Sequence, residues 1–369
     1  MIAFAPYSLR GSLLLLFYLA FFPAPLFAQS GSTALISIRT LPAEPITITL
    51  DSGAHKVTVQ AGGQPFTEFL YPDTLEKPTL YPIYAPDGQL ITRGFPLQPR
   101  TGEPVDHPHH IGLWFNYENV NGLDFWNNSY AIPTEKKRQY GWIRTDKILR
   151  TESGPEKGIL QYSANWTDQQ HNILLKELTA FTFTATGSER IIDRVTTLIA
   201  QEDIAMPDAK DGLLGLRVTR ELQIPSNAPG QFVDDKGNIT KVAAGNTPDI
   251  NGDYLTEKGK KGDSAWGTRA NWCLLFGKKG KDTLSIAIID HPGNPGYPTY
   301  WHARGYGLFA ANPLGQKIFS NGKETLNFHL KKGESVTFRY RIVIAAGNQR
   351  LSTDRIRQLA GVFGKLKWQ

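Results

Sequence analysis

The feature that most limits what this chain can become is its repeated short segments of alternating apolar and polar residues, each closed by a turn signal. Ile46-Thr47-Ile48-Thr49-Leu50 and Val57-Thr58-Val59 flank Asp51-Ser52-Gly53, the pattern of a hairpin. Leu80–Tyr84 and Gln89–Thr92 flank Pro86-Asp87-Gly88 in the same way. Further strands are expected at Tyr140–Ile143, Ile159–Trp166, Leu174–Thr186, Ile191–Ala200, Leu214–Leu222, Leu284–Ile289, Lys317–Phe319 and Val336–Ala345, where β-branched and aromatic residues dominate. One helix stands out. Ser352 or Thr353 caps it, and Ile356, Leu359, Ala360 and Phe363 share a face. Many antiparallel strands and a terminal helix predict an all-β fold, a large sandwich of two sheets.

The first 28 residues are expected to be a leader rather than part of that fold. Arg10 precedes an apolar run, Ser12–Phe22, and Ala28 precedes Gln29 at a small-residue cleavage site. The run is about a dozen residues, short of the ~20 that span a bilayer. Export to the periplasm or medium follows, with residues 29–369 as one β-sandwich domain, no membrane span after cleavage, and a long loop at 225–267. The single cysteine, Cys273, cannot form an internal disulfide, so an exported chain must rely on its core. Cys273 lies in the apolar run Asn271–Phe276 and reads as core. The net charge of +6 is concentrated in Gly-Lys tips at Lys258–Gly262 and Lys278–Lys281. No basic face with interleaved aromatics is present, which argues against a nucleic-acid partner.

Chemistry concentrates in two stretches that both contain Asp-His-Pro: 106–108 and 290–292. They are expected to line one cleft. In an extended segment His107 and His109 would face one way, and Asp106 and His110 the other. His109, His110 and His302 are candidate proton carriers. Arg304, Asp290 and His291 are candidates to orient or stabilise charge beside them. Trp114, Trp126, Trp301 and Tyr306 offer ring faces for a sugar, and Asp124, Lys210 and Asn312 offer polar contacts. Alternation puts His302 and Arg304 on one face of a strand and Trp301 and Ala303 on the other. No cofactor is required by this set. If a metal is bound, His107, His109 and His291 are the candidate ligands, since a catalytic zinc needs three.

Several motifs occur together and in order: Asp-His-Pro-His-His-Ile-Gly-Leu-Trp-Phe (106–115), Val-Asn-Gly-Leu-Asp-Phe-Trp (120–126), Asp-Gly-Leu-Leu-Gly-Leu-Arg-Val (211–218), Ala265-Trp266-Gly267 with Trp272, and 290–313 from Asp-His-Pro to Ala-Asn-Pro. In these the chain resembles the PmoA-like family, exported bacterial proteins whose domain has no settled function. One departure is Lys210-Asp211-Gly212, where the family pattern has Lys-Glu-Gly. The family's label invokes a methane oxygenase subunit, a multi-span membrane protein, which this chain does not match. The resemblance implies a β-rich domain in bacteria that degrade polysaccharides, and a sugar-active enzyme on such a sandwich would resemble the galactose-mutarotase-like supersandwich. Three functions remain open: a sugar-active enzyme of epimerase, lyase or hydrolase type, a carbohydrate-binding protein without turnover, and a metal-dependent oxygenase or hydrolase.

Overall fold

The computed structural model describes residues 41–366 apart from 227–228, 234–235, 237 and 243–248. The proposed leader lies outside the described residues. Leu41–Gln369 form one compact unit. It is built on two eight-stranded sheets. The front sheet runs, edge to edge, Ile46–Asp51, Lys56–Ala61, Gln64–Leu70, Thr79–Ile83, Leu113–Tyr117, Gly212–Arg217, Leu308–Asn312 and Tyr300–Arg304. The back sheet runs Asp253–Thr256, Trp272–Lys279, Asp282–Asp290, Ser335–Gly347, Glu189–Ala200, Ile173–Ala185, Gly158–Thr167 and Trp142–Glu152. Neighbouring strands pair antiparallel throughout both sheets.

Alternation explains why the sheets stack. Every second side chain of each strand points to the shared interior. Leu113, Phe115, Leu216, Trp301 and Phe309 from the front sheet meet Leu160, Phe181, Ile192, Ile288 and Phe338 from the back. Cys273 is buried in the same core. The helix, Thr353–Phe363, packs Ile356, Leu359 and Phe363 on the outer face of the back sheet, against Trp272, Leu274, Ala287 and Val343. Its cap is Ser352, whose Oγ accepts from the Arg355 amide at 3.2 Å. The outer face of the front sheet carries a third, smaller cluster: Trp114, Trp126, Leu308 and Ala310, with Tyr306 against it.

Some elements differ from the sequence reading. Gln316–Phe319 is a short helix, not a strand. The Leu214–Leu222 segment leaves the sheet at Arg217 and ends in a 3-10 turn at Arg220–Leu222. Gln89–Thr92 makes only isolated bridges, Tyr84 with Leu90 and Thr92 with Val218. Within 225–267, Asp253–Thr256 joins the edge of the back sheet, because Tyr254 and Leu255 have apolar burial available there. Among the described residues no helix is long and apolar enough to cross a membrane.

Candidate functional site

The site is built on the last four strands of the front sheet, from Leu113–Tyr117 to the edge strand Tyr300–Arg304. Their register sets one row of outward side chains: Trp114 opposite Gly215, Gly215 opposite Ala310, and Ala310 opposite His302. The row is therefore a tryptophan at one end, a histidine at the other, and two small residues between. The Trp114 and Trp126 indoles lie over Gly215. A Cβ placed there would stand 2.5 Å from Trp114 and 2.8 Å from Trp126, so only glycine lets the rings approach the sheet.

The first Asp-His-Pro stretch closes one side. Residues 107–110 form a tight turn rather than an extended segment, so alternation does not describe them. The His110 amide donates to the His107 carbonyl at 3.0 Å, and His107 takes φ +47°. Arg93 holds this uncommon backbone. Its Nη2 donates to the carbonyls of His107 and His110, at 2.9 and 3.2 Å, and its Nη1 to the Asp106 carbonyl at 2.7 Å. Four rings then stack in sequence. Trp114 lies on His110 at 5.2 Å between centroids, His110 on His107 at 4.8 Å, and His107 on Tyr306 at 4.9 Å. Tyr306 leads into the strand Leu308–Asn312, so the two stretches do meet.

Asp106 is the electrostatic anchor of the turn. Arg217 Nη2 donates to both its carboxylate oxygens, at 2.7 and 2.8 Å, Arg93 Nη1 donates at 3.1 Å, and His107 Nδ1 is in contact. Burial pushes this carboxyl up, but the His107 hydrogen bond and the Arg217 and Arg93 charges outweigh it and hold the group far below the usual carboxylate range. Both guanidiniums are fully buried. Arg217 Nη1 lies 3.1 Å from His110 Nδ1. A guanidinium only donates, so His110 keeps Nδ1 bare and carries its proton on Nε2. Burial, then the neighbouring His109 and Arg217, keep His110 neutral. Replacing Asp106 with Asn would leave two buried guanidiniums facing each other. The side chain is about a third exposed, so we expect a loss of about 1–3 kcal/mol, below that of a fully buried pair. Because the folded group is the stronger acid, its contribution is present above the unfolded value of ~3.9 and fades as pH falls below it. Urea denaturation of D106N and wild type at pH 7 and pH 3 should show the difference narrowing on acidification. An unchanged difference would overturn the assignment.

The opposite side holds an acid–base pair. Asp211 Oδ1 lies 3.5 Å from His302 Nδ1. Both side chains are largely buried, and His302 Nδ1 has no hydrogen-bond partner. Burial pushes the Asp211 carboxyl up to about 6, with Lys210 opposing and Glu118 adding to the rise. Burial, then the charges of Lys210 and Arg304, push His302 down to about 3. At neutral pH the histidine is thus uncharged and the carboxyl is mostly ionised, within about one pH unit of its midpoint. His109, half-buried on the facing side, is pushed down to about 2 by burial and then by Lys77. Lys77 is itself buried, donates to the His109 carbonyl at 2.8 Å, and is lowered to about 8 chiefly by burial.

Several expected residues sit elsewhere or do other work. Trp301 faces the core, where its Nε1 donates to the Ala270 carbonyl at 3.1 Å. Trp114 and Trp126 are on the site side but fully buried under the turn, so they shape the floor and present no free ring face. Asn312 is a clamp. Its Nδ2 donates to the Ala209 and Lys210 carbonyls, at 2.9 and 2.8 Å, and its Oδ1 accepts from Leu314, which fixes the turn that carries Asp211. Asp124 closes a local turn on Asn127. Asp290 and His291 do not join the cleft. Asp290 is buried and accepts from the Thr299 amide and Asn294 Nδ2, while His291 meets Phe363 of the helix at 5.1 Å. They end a strand of the back sheet, beside a cavity of about 400 Å³ under the helix. Among the described residues no three His, Cys, Asp or Glu side chains are grouped as a metal would need, so His107, His109 and His291 are not a ligand set. His302 and Arg304 do share the outer face. Lys210 is half exposed beside Asp211, 3.5 Å away.

The residues missed from the sequence are Lys77, Arg93, Arg217 and the roles of Asp106 and Asp211. Arg217 had a signal. It is the one charge inside the apolar run Leu213–Val218, and a charge in a two-face-buried strand needs a partner.

Residues 56–361 match the family of unknown function DUF6807, and the chain belongs to that family. No curated protein matches it. Among solved structures the chain is similar to a galactose mutarotase-like protein from Clostridium acetobutylicum, at 11% identity and a TM-score of 0.40, covering 83% of this chain and 99% of that one. It is also similar to galactose 1-epimerase from Lactobacillus acidophilus, at 11% identity and a TM-score of 0.33, covering 84% of this chain and all of the other.

Proposed function

We propose that the outer face of the front sheet binds a carbohydrate and moves a proton on one of its hydroxyl groups. The observation that carries this reading is the bare, buried His302 Nδ1 beside Asp211, 3.5 Å apart. A buried nitrogen without a partner costs free energy unless a ligand supplies one. A sugar hydroxyl can donate to one group of the pair and accept from the other. With the carboxyl at about 6, Asp211 can take a proton at neutral pH and return it, as acid–base catalysis requires. His302 orients the hydroxyl. His107 and Tyr306, both partly open to solvent, offer the aromatic edge of the cleft.

The motif resemblance to the PmoA-like family agrees with a role in polysaccharide catabolism. Export belongs to the same reading, and Arg10, the apolar run Ser12–Phe22 and Ala28 support it. N-terminal sequencing of the protein recovered from expressing cells should find Gln29 first; an intact Met1 would remove export from the reading. The function itself is tested with a panel of mono- and oligosaccharides, followed by ligand-observed NMR for binding and product detection for turnover. Turnover of a panel member that is lost in Asp211→Asn supports the enzyme. Binding without turnover makes this a carbohydrate-binding protein, and no binding to any sugar overturns the reading.

A further inference from the structure

Resting on that sugar reading, we propose that the bound saccharide carries an oxyanion, a uronate carboxylate or a sulfate ester, received by Arg304 with Lys210 at the rim. Arg304 is exposed and lies two residues from His302 on the strand Tyr300–Arg304. The two side chains share the outer face, so they stand about 6.5 Å apart along the strand. That is the width of one sugar ring, so a hydroxyl at His302 and an acidic substituent across the ring at Arg304 can be engaged together.

The guanidinium is placed but not used. It lies 5.8 Å from the Trp266 ring centroid and 5.9 Å from that of Tyr306, contacts that limit its rotamers. Among the described residues it makes no ion pair and no side-chain hydrogen bond. The other partly exposed cation here, Lys210, reaches only Asp211, at 3.5 Å. Other arginines of the chain show what a matched guanidinium looks like: Arg341 forks Asp193 with two bonds of 2.7 Å, and Arg355 meets Glu189 at 2.7 and 2.9 Å. Arg304 has the same planar set of donors, suited to two oxygens of one anion, and no protein carboxylate takes it. The positive charge of Arg304 and Lys210 is also felt at His302, where both disfavour the imidazolium. An anionic ligand would relieve that potential. A neutral sugar would leave Arg304 without a counter-charge, since Asp211 lies against Lys210.

The test compares methyl glucoside, methyl glucuronide and methyl glucoside 6-sulfate, matched in anomer, by calorimetry or ligand-observed NMR at low salt. At least one charged sugar should bind the wild type about tenfold more tightly than the glucoside, the size of one charge-assisted contact. The preference should shrink with added salt, because Arg304 is exposed. In Arg304→Met the ratio should collapse toward one, with Arg304→Lys between. A fold defect would weaken all three sugars together and leave the ratio intact, so the ratio isolates the anion contact. Comparing the glucuronide with the sulfate tells which oxyanion fits. Equal binding of all three sugars, or a preference that survives Arg304→Met, overturns the anion assignment and leaves the sugar reading standing. Failure of all three to bind, with no other sugar bound in the wider panel, overturns both.

Discussion

Glu177→Ala is expected to lower the unfolding free energy by about 3–5 kcal/mol, the cost of removing one partner from a fully buried ion pair. Glu177 is 1% exposed, on the inner face of the back sheet. Its Oε1 accepts from Arg194 Nη2 at 2.8 Å, from Tyr162 Oη at 2.7 Å and from Thr179 Oγ1 at 2.6 Å, and its Oε2 from Trp166 Nε1 at 2.8 Å. Four donors from three strands converge on one carboxylate. Arg194 is also stacked between Phe115 of the front sheet, 4.8 Å away, and Phe181. Truncation leaves that guanidinium in the core without its anion and takes the acceptor from the Tyr162 O–H and the Trp166 indole N–H. Glu177→Gln keeps the shape but not the charge and should fall between. Urea denaturation at neutral pH measures both. A loss under about 1 kcal/mol for the alanine variant would mean that the network relaxes or hydrates, and that Glu177 does not hold the sheets together.

This network was invisible in the sequence for a physical reason. In Leu174-Leu175-Lys176-Glu177-Leu178, hydropathy alone puts Leu178 inside and Glu177 out. The fold does the reverse: Leu178 is exposed and Glu177 buried. The inversion is stabilised by partners on neighbouring strands, which no local pattern encodes. The same limit hid the strands of the site. The two-sheet class was legible because edge-proximal strands such as Lys56–Ala61, and Gly158–Thr167 as far as Trp166, alternate. Leu113–Tyr117, Gly212–Arg217 and Leu308–Asn312 are buried on both faces. One side of each meets the core and the other meets the aromatic turn, so period-2 alternation is erased. The parity of His302, Arg304 and Trp301 was nonetheless readable. So was the meeting of the two histidine-bearing stretches, which happens where His107 stacks on Tyr306, although the turn at 107–110 was not. The second Asp-His-Pro misled: it ends a strand of the back sheet, and its likeness to the first is in sequence only.

On the proposed acid–base function, Asp211→Asn is expected to reduce sugar turnover by a factor on the order of 10²–10⁴, the usual worth of a positioned acid–base group. The amide keeps the shape and the neighbouring contacts but cannot take a proton. Its effect on stability should run the other way. Burial raises the folded carboxyl to about 6, above the unfolded value of ~3.9. An acid whose folded pKa is raised is penalised when ionised, so the chain gains stability as pH falls from above 6 to below 4. That penalty is on the order of 3 kcal/mol at pH 7, and the asparagine variant is free of it. No strong hydrogen bond is lost in exchange, because the Lys210 ammonium and the neutral His302 imidazole each stand 3.5 Å away. The variant should therefore be at least as stable as wild type at pH 7 and closer to it at pH 4, while being nearly inactive. Wild-type turnover should rise with pH through an inflection near 6 as Asp211 becomes a base. Thermal denaturation at the two pH values and a pH–rate profile check both sides. Wild-type activity in the variant would remove Asp211 from the chemistry, and a variant destabilised at pH 7 would mean the carboxylate is held by structure and was never poised for proton transfer.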